Sequence, residues 1–591
     1  MYGHGFAVVP GRPVRTGDGG SPKAPVRETE LPLRERGGPP RDHRAQLLRT
    51  RPEPGSGAAA GTGGRGAGGS RALPGGPEAP GGAGERGPGG ARGGLGRSQP
   101  EGAAAEDGFA SSRAAFDGVV SWLGSEGATA MTHAELEERL STDMRAVICQ
   151  LFQDHVDLRS EREERRGGVR DAKGSLHGAV EAGHDRPLAT VFGEVRVNRL
   201  AYRHRGEANL YPADADLNLP VEIHSHGLRR MAAVESSRGS FDEAVAAMER
   251  ATGQHVPKRQ VEGLAKLAAV DFEAFYEQAR RARAGADDVV VISADGKGIV
   301  MRPGALRPGT AKAAASKKLS ARLSKGERPY RKRMAEIGAV YEVSPVPRRP
   351  EDIMGENKVP APVAKAKWLT ASVVEDAKEV ISAVFDEAER RDPAHEHTWV
   401  ALVDGARHQI DVMKKQAKKR GVDLTVLCDF VHVIEYIWRA AWSFFDEGDP
   451  AAEAWVAEKA TEVLRSKASV VAGSIRRKAT CLGLSPSRRA NADACAGYLI
   501  AKSKYLNYAD ALRKGWPIAT GIIEGAARHL VADRLDITGA RWGLEGAEAV
   551  LKLRAIRSNE DFPSYWAYHL AQERRRVHES GYANGVLPRA A

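Results

Sequence analysis

From about residue 110 the hydrophobic positions keep a helical rhythm, and it breaks at two runs of β-formers that each end in Asp-Gly. Over 110–165, Phe116, Val119, Val120 and Leu123 share one face, and Leu136, Leu140, Met144, Val147, Ile148 and Leu151 continue the 3.6-residue period. Thr132-His-Ala-Glu135 has the spacing of a capping box. Residues 189–203 alternate with a period of two around a glycine, which predicts a hairpin. Ser240-Phe-Asp-Glu243 can cap a helix through about Ala251. A Gly253-Gln254 break and a second helix from about Pro257 follow, with Lys258, Arg259 and Gln260 in its first turn. That is the layout of a helix-turn-helix, and equally of any two packed helices.

From about 286, strand and helix alternate. Asp288–Ser293 and Met334–Val343 read as hairpin-related strands, with a fainter third strand near Gly298–Met301. A helix over 371–391, the strand Trp399–Asp404, a helix from about Gln409 to Arg420 and the strand Asp423–Cys428 follow. Residues 430–512 are almost wholly helical, and Ile522 to about Leu535 is a further helix. Antiparallel strands first and alternating elements afterwards predict an α+β, mixed fold: a ribonuclease-H-like catalytic domain with an all-α insertion, preceded by mainly helical domains. The expected divisions are a helical region over 106–185, a hairpin with a helix-turn-helix-like DNA-binding region over 186–285, the first part of the catalytic core over 286–445, the insertion over 446–514, and a C-terminal helical part of the core over 515–583.

Composition changes this picture at one end. Residues 1–105 form a Gly/Pro/Arg-rich tract with no aromatic between Phe6 and Phe109. Such a segment buries too little apolar area to offset chain entropy, so disorder is expected. It reads either as an arginine-rich arm on DNA phosphates or, the reading preferred here, as upstream sequence translated from a misplaced start. The net charge of +11 is concentrated there: residues 1–100 carry +7. Global basicity therefore says little about nucleic acid, and local clusters must carry that inference. Cys149, Cys428, Cys481 and Cys495 lie far apart, which excludes a zinc ribbon or disulfide framework and suits a reducing cytoplasm. With no apolar run of 18 residues, no membrane partner is expected.

The candidate chemistry lies in acids. Asp295 and Asp404 each close a β-run, and either alone could be an Asp-Gly turn. Carboxylates at the ends of adjacent strands converge in space, so the pair points to a site. Glu524, near the start of a helix and flanked by Gly521 and Gly525, completes a set of three; Glu435, Glu545 and Glu548 compete for that third place. Two strand-end carboxylates and one on a helix are what two Mg²⁺ (or Mn²⁺) ions need to clamp the attacking and leaving oxygens of a phosphoryl transfer. Asp429 and His432 follow the strand ending at Cys428, and either serve the site or cap a helix. Residues 302–333 hold 11 Arg/Lys and a single acid, Glu327. Lys317, Lys318, Arg331, Lys332 and Arg333 in this run are candidates for phosphate contact, as are Lys258 and Arg259. Arg541-Trp542 combines a cation with a flat ring for an unpaired base, or is a buried helix contact.

Four blocks carry a family resemblance: Ser293-Ala-Asp-Gly-Lys-Gly-Ile-Val-Met-Arg-Pro, Trp399-Val-Ala-Leu-Val-Asp-Gly, Cys428-Asp-Phe-Val-His, and Gly515-Trp-Pro-Ile-Ala-Thr-Gly-Ile-Ile-Glu-Gly-Ala-Ala-Arg. From about Phe109 to about Ala583 the chain resembles the ISKra group of bacterial insertion-sequence transposases. The resemblance implies a DDE transposase with Asp295, Asp404 and Glu524 as ligands of two Mg²⁺ (or Mn²⁺) ions. Asp429-x-x-His432 matches an Asp/Cys-x-x-His signature of several DDE groups. It further implies binding to double-stranded DNA at terminal inverted repeats and at a target, a homo-oligomer on paired ends, and a bacterial, nucleoid-associated location. The rivals are a DNA-binding relic without activity and a ribonuclease-H-like nuclease without strand transfer. The Gly-rich tract departs from the family pattern.

Overall fold

The computed structural model describes residues 107–279, 282–316, 331–355, 359–519, 521–537 and 539–589. The chain falls into two units, Met1–Ser98 and Gln99–Ala591, and every described residue belongs to the second. The tract over 1–105 and the candidates Lys317 and Lys318 lie outside the described residues.

The fold is mixed α/β around one five-stranded sheet. Strands β1 (Ala179–Ala189) and β2 (Glu194–Arg203) form a separate hairpin; β3 (Val289–Val300), β4 (Lys332–Val343), β5 (Ala364–Ser372), β6 (Trp399–Val403) and β7 (Leu424–Cys428) make the sheet, in the order β5-β4-β3-β6-β7. β3 is antiparallel to β4 along its whole length, from Val289↔Val343 to Val300↔Lys332, and β5 extends this antiparallel side. On the other side β6 and β7 run parallel to β3. The unbroken Val289–Ala294 run is buried, as a central strand with both faces covered requires.

Two expectations are corrected here. Asp295 does not close its strand: β3 continues past it for five further residues, so the faint third strand expected near Gly298–Met301 falls largely within β3. Asp295 is nonetheless at an end, because the parallel pairing with β6 stops at Ser293↔Leu402. The true third strand is β5, and the helix expected over 371–391 begins only at Ala377, capped by Asp376 and Glu379.

Ala377–Arg391 covers one sheet face so closely that a Cβ on Gly338 would lie 2.4 Å from Val384 Cγ2. The other face packs Ile299, Ala335, Ile337 and Val373 against Ile523, Leu530, Leu535 and Val550 of the C-terminal helices. The helices Pro450–Leu464, Ala468–Cys481 and Pro486–Lys502, inserted after β7, share the sheet's core through Trp455, Val471, Ile475 and Leu499. In the N-terminal part, Thr132 and Glu135 form the capping box of the helix His133–Glu161. The hairpin's first strand lies upstream of the expected window, with the turn at 190–193. His226–Arg238, Phe241–Thr252 and Lys258–Leu267 form a three-helix cluster around Leu228, Met248, Val261 and Leu264. Gly253, at φ 71°, makes the left-handed turn between the last two.

Candidate active site

The geometry of the sheet brings the predicted acids together. Beyond the last β3–β6 pair, Ser293↔Leu402, lies a pocket of about 490 Å³. Asp295, Lys297, Asp404, Asp429, His432, Glu524 and Arg528 all line it. Asp295 comes from β3, and Asp404 follows directly on β6. Asp429 and His432 stand at the start of the helix Phe430–Ala441, and Glu524 lies on the helix Gly521–Ala526.

Each aspartate is held by its own backbone. The Gly296 amide donates to Asp295 Oδ1 at 2.7 Å, Ala406 N to Asp404 Oδ1 at 2.7 Å, and Val431 N to Asp429 Oδ1 at 2.7 Å. The last bond caps the helix Phe430–Ala441, so Asp429 serves as cap and pocket wall at once. The Asp429 amide in turn donates to Val403 O at 2.7 Å, tying the neighbouring strand end to the one that carries Asp404.

No ion pair joins Asp295, Asp404 or Glu524 to a cationic side chain among the described residues. Burial pushes the Asp295 carboxyl above its ordinary value. The Gly296 amide opposes that shift, and the charge of Asp404 adds to it. Glu524 stands at the pocket rim. What burial its carboxyl has, and then the charge of Asp429, push it up as well; Glu435 and Asp295 contribute and His432 opposes. This is an acid-rich pocket whose charges repel one another. Among the described residues no three His, Cys, Asp or Glu are close enough to hold a metal ion. The carboxylates therefore share one pocket without converging on a point.

The competing acids are committed elsewhere. Glu548 is buried and accepts from Ser372 Oγ and Val373 N at 2.8 Å each, closing the end of β5. Glu435 pairs with Arg439 and His432, and exposed Glu545 with Lys266. Lys297 and Arg528 were not singled out from sequence, although both signals were present. Lys297 is two residues past Asp295 on the same strand face, and Arg528 is one helical turn past Glu524.

The nucleic-acid candidates divide. Arg259 and Arg541 are exposed, and Arg331 is half-buried. Lys258 is exposed but paired with Asp242 at 2.5 Å, and Lys332 lies 3.5 Å from Asp536. Arg333 spends its donors on the backbone oxygens of Val373, Ala305 and Val374, which makes it a clamp within the fold rather than a phosphate contact. Trp542 is likewise corrected. Its ring is 6% exposed, its indole N–H donates to Leu535 O at 3.0 Å, and its backbone bonds to Val300 and Arg302. Phe241 meets it edge-on at 6.0 Å and Arg534 covers it at 4.7 Å, so no face is left for a base.

A second pocket, of about 290 Å³, lies between His133–Glu161 and the hairpin. Two of its lining charges, Arg166 and Asp216, pair with each other. No helix among the described residues is long and apolar enough to cross a membrane. The chain matches no protein-family model and no curated protein, so what it does rests on this geometry.

Proposed function

We propose that the protein is a DDE transposase, with a ribonuclease-H-like catalytic domain that cuts and joins DNA at the terminal inverted repeats of its element. One observation carries this reading: three carboxylates, on β3, after β6 and on a helix more than a hundred residues later, line one pocket with no cationic partner among the described residues. The strand order, antiparallel on one side of β3 and parallel on the other, and the helices inserted between β7 and Glu524 support it.

The donor set fits a divalent cation in kind. All three groups are hard carboxylate oxygens, and burial first, then neighbouring acids of the pocket, push Asp295 and Glu524 up. Asp295 and Asp404 would hold both ions and Glu524 would complete one of them, after an approach that the present spacing requires. Once bound, Mg²⁺ or Mn²⁺ supplies charge stabilisation for the attacking and leaving oxygens. The chain's own groups supply the rest. Lys297 and Arg528 offer cations to a phosphate entering the pocket, and His432 can orient a phosphate or water beside the acids. The helix Lys258–Leu267, with Arg259 exposed, offers a face to the major groove. Water attacks the phosphodiester at the element end, and the freed 3′-OH then attacks target DNA. No protein nucleophile is needed.

The test incubates the protein with DNA bearing its own element's end, in Mg²⁺ or Mn²⁺, beside Asp404→Ala. Metal-dependent nicking with joined products, lost in the variant, is the expected outcome. Nicking without joined molecules favours a nuclease, and end binding without cleavage in either protein favours a relic.

A further inference from the structure

The helical insertion reaches back to the strand end that carries Asp404. Tyr498, on the helix Pro486–Lys502, donates from its hydroxyl to the Asp404 backbone oxygen at 3.2 Å. Its ring stacks on Tyr436 of the helix Phe430–Ala441, with centroids 4.1 Å apart and planes 14° from parallel. The next residue, Gly405, has φ 96°, a conformation side chains rarely adopt. A Cβ there would lie 3.0 Å from the Tyr498 hydroxyl and 3.4 Å from Cys428 Sγ. The backbone leaving Asp404 is thus folded tightly under a tyrosine from another part of the chain. One strand over, Tyr508 donates to Cys428 O at 2.7 Å, and Phe430 N donates to Ile518 O at 2.9 Å. The insertion and the segment after it therefore grip both strand ends, those of β6 and β7, that deliver acids to the pocket.

We infer that Tyr498 is a positioning residue for Asp404: through the hydroxyl bond to the Asp404 carbonyl, the helical insertion sets the direction in which that carboxylate enters the pocket. The inference rests on the reading of Asp404 as a ligand. The Ala406 amide already fixes one carboxylate oxygen, at 2.7 Å, leaving the peptide plane as the remaining freedom. Tyr498 holds that plane from its carbonyl side. Its hydroxyl also hydrogen-bonds Cys428, beside Asp429, and bonds to neither carboxylate among the described residues, so it acts through the backbone of the strand ends. The all-α insertion then has a function beyond filling space, because its packing reports directly on the geometry of the site.

The experiment measures Mn²⁺ binding to the full chain without DNA, by calorimetric titration, for wild type, Tyr498→Phe and Asp404→Ala. Tyr498→Phe keeps the ring and its stack on Tyr436, so the thermal midpoint should change little. Mn²⁺ affinity should fall about tenfold, the scale on which groups supporting a metal ligand act. Affinity equal to wild type in Tyr498→Phe, with Asp404→Ala impaired, overturns the positioning role and leaves the site reading intact. Wild-type affinity in Asp404→Ala overturns both.

Discussion

At the scale of single residues, the acids of the pocket make opposite demands on stability and on chemistry. The Asp295 and Glu524 carboxyls titrate above their ordinary values in the folded chain. A raised acid favours the protonated form on folding, so its stabilising effect is complete below the unfolded value, about 4, and disappears as pH rises through the folded one. Near neutral pH the metal-free protein therefore holds charges it would be more stable without. Asp295→Asn is expected to raise the metal-free melting temperature at pH 7.5 by on the order of 1 °C, with the gap closing near pH 4. Mn²⁺ should raise the wild-type midpoint and leave that of the variant unmoved. A variant that melts lower than wild type at both pH values would show the charge to be compensated. Asp295 and Asp404 were legible in the sequence because each closes an apolar run, and Glu524 because two glycines flank it. Lys297 was equally legible from the two-residue period of a strand. Tyr498 was not, since nothing local ties a tyrosine in a helix to a carbonyl 94 positions earlier.

Between elements, Trp542 shows how far a dipeptide can mislead. A cation beside a flat ring suits a base, but burial is decided by what packs above the ring, and here that is Phe241 and Arg534. Trp542 joins the end of β3 to the helix Phe241–Thr252, its backbone bridging to Met301 and its ring meeting Phe241. Trp542→Ala should cost about 3–5 kcal/mol in urea unfolding, the range for removing a large buried aromatic. A loss below about 1 kcal/mol would mean that the joint carries little packing. β5 stayed hidden for a related reason. Ala364, Lys365, Ala366 and Lys367 are poor strand formers, and lysines are common on an exposed edge, so the strand exists by pairing with β4 and not by its own preference. The capping boxes at Thr132 and Ser240 were readable because they are local, with all their partners within four residues.

Across the whole molecule, the described body is closed by its last residues. Arg229 bonds to Glu573 at 2.5 Å, and Asp271 accepts from His569 Nδ1 at 2.7 Å and from Arg576. Arg166 donates to Pro588 O at 2.8 Å. Burial would raise the Asp271 carboxyl, but His569 and Arg576 outweigh it and hold it at about 2. Burial, with Arg229 beside it, brings His226 down to about 4. Both groups are depressed, so their stabilisation is present at neutral pH. The His226 contribution is lost as pH falls from about 6.5 to about 4, and that of Asp271 from about 4 to about 2. Acid unfolding followed by circular dichroism should accordingly begin above pH 4, and Asp271→Asn should flatten the lower part of the curve. An unchanged curve would remove Asp271 from the account. The closure has a kinetic side too. Arg166 and Pro588 are 422 positions apart, which at ribosomal speed is roughly 20–80 s of synthesis. Until then the hairpin region has its own pairs, such as Arg166 with Asp216, but lacks the contact with Pro588. A chain released before Glu573 would leave the Arg229 guanidinium, buried in the three-helix cluster, with Glu222 alone of its two carboxylate partners.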